Sequence, residues 1–310
     1  MAELQEVTSG LIFPEGPVAM PDGSVIVVEM LGECLTRVST DGIKDTIAEV
    51  PGGPNGAALG PDGAMYIANN GGCFTTVDLG EMIVPGPFSL EKYTGGRIQK
   101  VDLDTGEVTD LYTECNGWPL RAPNDLVFDA HGGFYFTDHG YAESAKRVDH
   151  MVSIFYGKAD GSDIHEVAFP AHGPNGIGIS PDGKKLYWAE TFTARIIQRD
   201  IIEPGQLGEV NLLAGSSACL YGFGGLRYLD SLGIDADGNV CVASIMPGGI
   251  GVISPEGELI DFVDTGDMLT TNICFGGADL RTAYLTLSSS GRLVKTTWPR
   301  PGLALPYLNG

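Results

Sequence analysis

Basic residues are scarce in this chain of 310 residues: 18 Lys and Arg stand against 40 Asp and Glu, a formal net charge of −22. Binding to a phosphate backbone needs clustered cations, so nucleic-acid partners are excluded, and anionic membrane surfaces are disfavoured for the same reason. Uninterrupted apolar runs of about 18 residues are missing, so no membrane-spanning helix is expected. The first ten residues lack the basic start and apolar run of a secretory signal. The six cysteines (34, 73, 115, 219, 241, 274) form no C-x-x-C pair and show no metal-ligand spacing, which makes a reducing cytoplasm the default expectation. No G-x-S-x-G is present, which removes the usual signature of a serine hydrolase; Gly215-Ser216-Ser217-Ala218 does not complete one.

What the chain has in excess is glycine, 45 residues, with 19 prolines and 43% hydrophobic residues. Turn formers at this density in an apolar chain predict many short strands joined by tight turns. The turns recur in a pattern. Six segments (13–29, 53–69, 121–138, 173–190, 228–244 and 270–286) each read as a strand, a turn built on Asp-Gly or a relative, and an apolar strand. A second hairpin follows each one, the last being 291–307. Two hairpins make a four-stranded antiparallel sheet. Six such sheets predict an all-β six-bladed β-propeller around a central channel, one domain over 1–310.

Aligned on their turns (Asp22, Asp62, His131, Asp182, Asp237, Asp279), the repeats carry Glu15, Asn55, Asn124, Asn175, Asp230 and Asn272 seven residues earlier. All six are carboxylates or amides. The first strand of a propeller blade lines the channel, so these residues are expected to form a ring at one mouth. Asn before Gly in Pro54-Asn55-Gly56 and Pro174-Asn175-Gly176 also suits a turn residue of positive φ, and this reading competes for each single Asn. It does not account for Glu15 and Asp230 in the same register. Two carboxylates facing each other resist ionisation unless a cation lies between them. Oxygen donors with two negative charges suit a hard divalent cation, calcium best; magnesium, manganese or zinc remain possible.

The motifs Phe13-Pro14-Glu15-Gly16-Pro17, Pro123-Asn124-Asp125, Pro174-Asn175-Gly176 and Leu229-Asp230-Ser231, each ahead of its turn, resemble the senescence marker protein/gluconolactonase family of six-bladed propellers. The likeness extends to relatives of the diisopropyl-fluorophosphatase type. The resemblance implies a metal-dependent hydrolase acting on a lactone, with the cation held by Glu15, Asn124, Asn175 and Asp230. It implies Asp230 as general base or nucleophile, and a small lactone or ester as the partner. Organophosphates or other esters on the same site, or a non-catalytic binding propeller, are the alternatives. Two positions depart from the family. Leu229 and Ser231 flank Asp230 where Pro and Gly are usual, and Ala122 stands where gluconolactonase-type members often carry a sugar-binding Arg, with Arg121 one step away.

Substrate contacts are expected from Asn55, Asn272, Arg121, His139, Tyr221 and Phe223, with Trp118 and Met246 adding apolar surface. His172 could support a ligand from behind. Residues 70–97 insert about 28 residues between the hairpins of the second blade, a length that suits a lid over the channel.

Overall fold

The second strand of almost every repeat is a continuous apolar run (Val25–Glu29, Met65–Asn69, Gly133–Asp138, Lys185–Glu190, Val240–Ile245), and the architecture explains why. In a computed structural model describing residues 3–80, 82–141, 151–210 and 218–309, these strands are buried on both faces. In blade one Ile26 and Val28 pack towards blade two, while Val25 and Val27 pack towards blade six. In blade five Val240 and Val242 face blade four, and Cys241 and Ala243 face blade six. A strand sandwiched between two sheets has no solvent face, so alternation of polar and apolar residues disappears. Among the described residues the core is accordingly six apolar wedges, one between each pair of neighbouring blades.

The inner strands are Pro14–Ala19, Pro54–Leu59, Pro123–Phe128, Pro174–Ile179, Tyr228–Ile234 and Thr270–Gly276, each next to its sequence neighbour and the last against the first. Blades one, two, three and five then run outward through three further antiparallel strands in chain order. The 70–97 insertion leaves blade two intact and forms its own hairpin, Phe74–Asp78 with Ile83–Phe88. The Asp-Gly turns behave as read: Asp22 accepts the amide N–H of Ser24 and Asp182 that of Lys184. Where blade three has His131 instead, Asp129 takes over, accepting from the His131 and Gly133 amides.

Two blades end differently from expectation. Among the described residues the outer edge of blade four after Arg195–Glu203 is formed by Gln206–Leu207 and Cys219–Gly222, and residues 211–213, the end of the hairpin expected over 195–213, lie outside the described residues. Blade six takes its outer strand from the other end of the chain. Gln5–Thr8 pairs antiparallel with Arg292–Thr297, and the segment expected to supply that strand crosses the turn face instead. Pro299, Pro301 and Pro306 give the reason, since a residue without N–H cannot donate to a ladder. Leu303 donates to the Ile234 carbonyl and Tyr307 packs edge-on against Phe128, 5.8 Å away.

The strand Gln5–Thr8 joins the start of the chain to its last hairpin, and Leu4 and Val7 add apolar contacts to the wedges beside it. A chain beginning at Ser9 should lose roughly 3 kcal/mol, from two partly buried apolar side chains and one ladder. Thermal and denaturant unfolding measure this; an unchanged midpoint would show that blade six does not need the closure.

Candidate functional site

The ring foreseen from the repeats exists. Glu15, Asn55, Asn124, Asn175, Asp230 and Asn272 are all buried, each at or near the start of an inner strand. In all six blades the pairing of inner and second strand slips at this level, between Glu15 and Val18 in blade one and at matching places in the others. Such a bulge re-aims side chains while the strand continues. None of the four asparagines has positive φ, so the turn reading fails and they are extended strand residues. The fit between strands is tight: a β-carbon added at Gly16, Gly56 or Gly176 would come closer than 3.0 Å to backbone of the next blade.

Hydroxyls stitch the blades together at the same level. Thr137 Oγ1 donates to the Asn175 carbonyl (2.7 Å), Thr191 Oγ1 to the Leu229 carbonyl (2.8 Å), and Ser288 Oγ to the Pro14 carbonyl (2.6 Å). A second set of buried polar side chains stands at the ends of the second strands. Glu29 accepts the Ile12 amide and the Thr36 hydroxyl, Asn69 the Gly53 and Gly71 amides, Asp138 the Arg121, Ala122 and Gly140 amides, and Glu190 the His172 amide and the Thr193 hydroxyl. These staples hold the segments that lead into the inner strands, and their acceptors are satisfied.

The ring is not satisfied. Glu15 Oε2, Asn55 Oδ1 and Asn124 Oδ1 are buried with no hydrogen-bond partner. Buried acceptors left bare cost about 1–3 kcal/mol each, and three from neighbouring blades is a departure that demands an explanation. A hydrogen-bond donor or a cation is what three bare oxygens lack. Asn175 and Asp230 stand at the same level: Asn175 Nδ2 reaches Thr191 Oγ1 (3.3 Å), and its Oδ1 takes a long contact from Ser231 Oγ (3.4 Å). Asn272 differs, because its oxygen accepts the neighbouring Ile273 amide. Among the described residues no three His, Cys, Asp or Glu cluster tightly enough to hold a metal by themselves. The donor set is instead carboxylate plus amide oxygen, the chemistry of a hard cation such as calcium.

The electrostatics of the ring follow from its burial. Burial raises the Glu15 carboxyl well above its ordinary value, and the charges of Asp230 and Asp125 raise it further. Burial also raises Asp230; the hydrogen bond from Asn175 opposes this and Asp125 reinforces it. Asp125 is the residue that sequence reasoning missed. It is buried directly after Asn124, and burial pushes it up to about 7 against the pull of the Leu126 amide and the Ser231 hydroxyl. A signal was available, since blades one, two and four carry Gly at this place. Below the ring, towards the Asp-Gly turns, lies a cavity of about 460 Å³ with mostly apolar walls such as Val18, Ile179, Ile234 and Phe275. Asp125 and Asn272 face it, and Glu15, Asn55, Asn124, Asn175 and Asp230 do not.

The expected substrate contacts divide. His139 stands beside blade four at the ring-side face, its ring 5.4 Å from that of Phe192. The Arg121 guanidinium stacks 4.5 Å over Tyr141 and donates to its carbonyl (3.3 Å). Tyr221 and Phe223 are not brought to the ring. They belong to the outer edge of blade four, because Cys219–Gly222 pairs with that blade's third strand, and they pack into the wedge between blades four and five. Trp118 is 78% exposed on a two-residue hairpin arm, and His172 is exposed, bound to Glu190 only through its backbone. Residues 142–150, which follow His139 and Tyr141 closely in the chain, lie outside the described residues. All six cysteines are free thiols.

Comparison with known proteins places the chain in company that fits this geometry. The family model of the SMP-30/gluconolactonase/LRE-like region matches residues 13–289. A gluconolactonase of Zymomonas mobilis is 28% identical over 254 residues, 79% of this chain and 63% of that protein. A lactonase drp35 of Staphylococcus saprophyticus is 32% identical over 182 residues, 57% and 52% of the two chains. The chain thus matches less than two thirds of the length of these two relatives. The crystal structure of regucalcin, a calcium-binding protein from Agrobacterium tumefaciens, superposes with a TM-score of 0.74 over 100% of this chain and 98% of the other, at 16% identity, which shows a shared fold.

Raised carboxyl pKa values have a definite sign in stability. Each such group favours folding fully below its unfolded value, and that contribution is lost as pH rises through the folded value. For Asp125 the window runs from about pH 4 to about pH 7. Without divalent cation, the thermal midpoint should therefore fall across this window, and Asp125→Asn should flatten the fall. Calcium should raise the midpoint, more at high pH than at low pH because protons compete for the same oxygens. Melting curves in chelator and in calcium test this; a calcium increment that shrinks as pH rises would refute the cation site.

Proposed function

The chain belongs to the SMP-30/gluconolactonase/LRE-like family, and from that premise we propose that it hydrolyses a lactone, with a divalent cation, best calcium, held by Glu15, Asn124, Asn175 and Asp230. The observation that carries the proposal is the contrast between the staples, whose buried acceptors are all engaged, and the ring, where Glu15 Oε2, Asn55 Oδ1 and Asn124 Oδ1 are bare. The calcium-binding neighbour of the same fold supports the choice of metal. When bound, the cation supplies Lewis acidity towards an ester carbonyl and charge to balance a developing oxyanion.

The protein's own groups have separate tasks. Asp230 accepts the proton from the attacking water at its carboxylate. Its burial makes it a stronger base than a surface aspartate, and the neighbouring Asn175 amide partly opposes that rise. Thr191, bonded both to Asn175 and to the Leu229 carbonyl, fixes the amide and the backbone beside Asp230. Asn55, with its nitrogen bonded to the Met30 sulfur and its oxygen bare, is free to orient a lactone oxygen or a water. Asp125, on the far side of the ring, adds negative charge that strengthens cation retention without reaching the substrate.

Two measurements test this reading. Proton release from a panel of lactones should cease in excess chelator and return with calcium; full activity in chelator would end the proposal. Asp230→Asn should lower kcat by about 10²–10⁴, the range of general-base catalysis, while the loaded variant keeps a cooperative unfolding transition. Near-normal kcat in that variant would remove Asp230 from the chemistry.

A further inference from the structure

We infer that Phe192 sets the substrate preference of this site, and that the preferred lactone carries an apolar alkyl or aryl substituent in place of the hydroxyls of a sugar lactone. The inference rests on the lactonase reading and adds a substrate class to it. Phe192 is 48% exposed, yet its position is closely fixed. Its neighbour Thr191 is buried and tied to the ring by two hydrogen bonds, from Asn175 Nδ2 and to the Leu229 carbonyl. The phenyl ring covers Gly173, two residues before Asn175, so closely that a β-carbon there would come closer than 3.0 Å to it. It is flanked by His139 of blade three at 5.4 Å and by Tyr228, two residues before Asp230, at 6.3 Å. One half-exposed aromatic face thus bridges three blades beside the inner-strand segments that carry Asn175 and Asp230.

The surroundings repeat the same chemistry. Met30, at the matching end of blade one, presents its sulfur to Asn55 and Asn70. Met246 follows the second strand of blade five. A polyhydroxylated lactone needs a donor or acceptor for each hydroxyl it buries, and a hydroxyl set against phenyl or thioether surface is left unpaired. The nearby cation Arg121 stacks on Tyr141. An alkyl or aryl substituent, by contrast, loses only water against these walls, and an aromatic face adds about a tenfold preference.

The test compares calcium-loaded wild type, Phe192→Ala and Phe192→Leu on three lactones: a γ-lactone with a pentyl chain, the unsubstituted γ-lactone, and glucono-δ-lactone. Wild type should have its highest kcat/KM on the pentyl compound. Phe192→Ala should lower that value about tenfold, mainly through KM, with a loss of at most about threefold on the unsubstituted ring. Phe192→Leu, which keeps apolar bulk, should recover most of it. Wild-type preference for glucono-δ-lactone overturns the inference while leaving the lactonase reading intact. So does an equal loss on all three lactones in Phe192→Ala, which would mean the ring only supports Gly173. Wild type turning over none of them ends the lactonase reading itself.

Discussion

At the level of the ring the six inner strands come so close that Gly16, Gly56 and Gly176 have no room for a side chain. Everything else follows from that approach. The strands leave their regular pairing there, each through a bulge, and the residues just before the tight points turn into the channel. Hydroxyls of Thr137, Thr191 and Ser288 hold the blades at this spacing by bonding carbonyls of the next blade. The result is a set of side-chain oxygens carried on closely spaced backbone, the preorganisation that a cation site and a hydrolytic site both need.

Two kinds of buried carboxylate coexist within one turn of chain. Glu29, Asp138 and Glu190 spend their lone pairs on amides and hydroxyls and thereby fix the loops. Glu15 and Asp230 sit a strand away in comparable burial, Asp230 adds its charge to the cost of ionising Glu15, and the hydrogen bonds each keeps leave its carboxyl raised. Local violation of the rule that buried polar groups are paired is the usual mark of a functional place in an otherwise consistent fold. The contrast cannot be obtained from composition, because the forty acids look alike until their partners are known.

How far the sequence could be read depends on whether a signal was periodic. The six-fold repeat gave blade number, inner strands and ring residues, because each recurs at a fixed distance from an Asp-Gly turn. Features that occur once were harder. The outer strand of blade six comes from Gln5–Thr8, and no repeat announces a partner nearly three hundred residues away. Asp125 breaks the local Gly pattern by a single residue, and its weight became visible only with its burial. Tyr221 and Phe223 read as wall residues because aromatics near a site attract that reading, whereas strand pairing carries them to the rim of the wheel.

The pairing of Gln5–Thr8 with Arg292–Thr297 also sets an order in time. During synthesis the strand Gln5–Thr8 has no ladder partner until Arg292–Thr297 has been made. Glu15 and Asp230 come from blades one and five, and blade six, assembled from both ends of the chain, is the piece between them. A nascent or clipped chain therefore lacks the opposed carboxylates even when most blades have formed. A cut in blade six removes the element that holds Glu15 and Asp230 across the ring from each other.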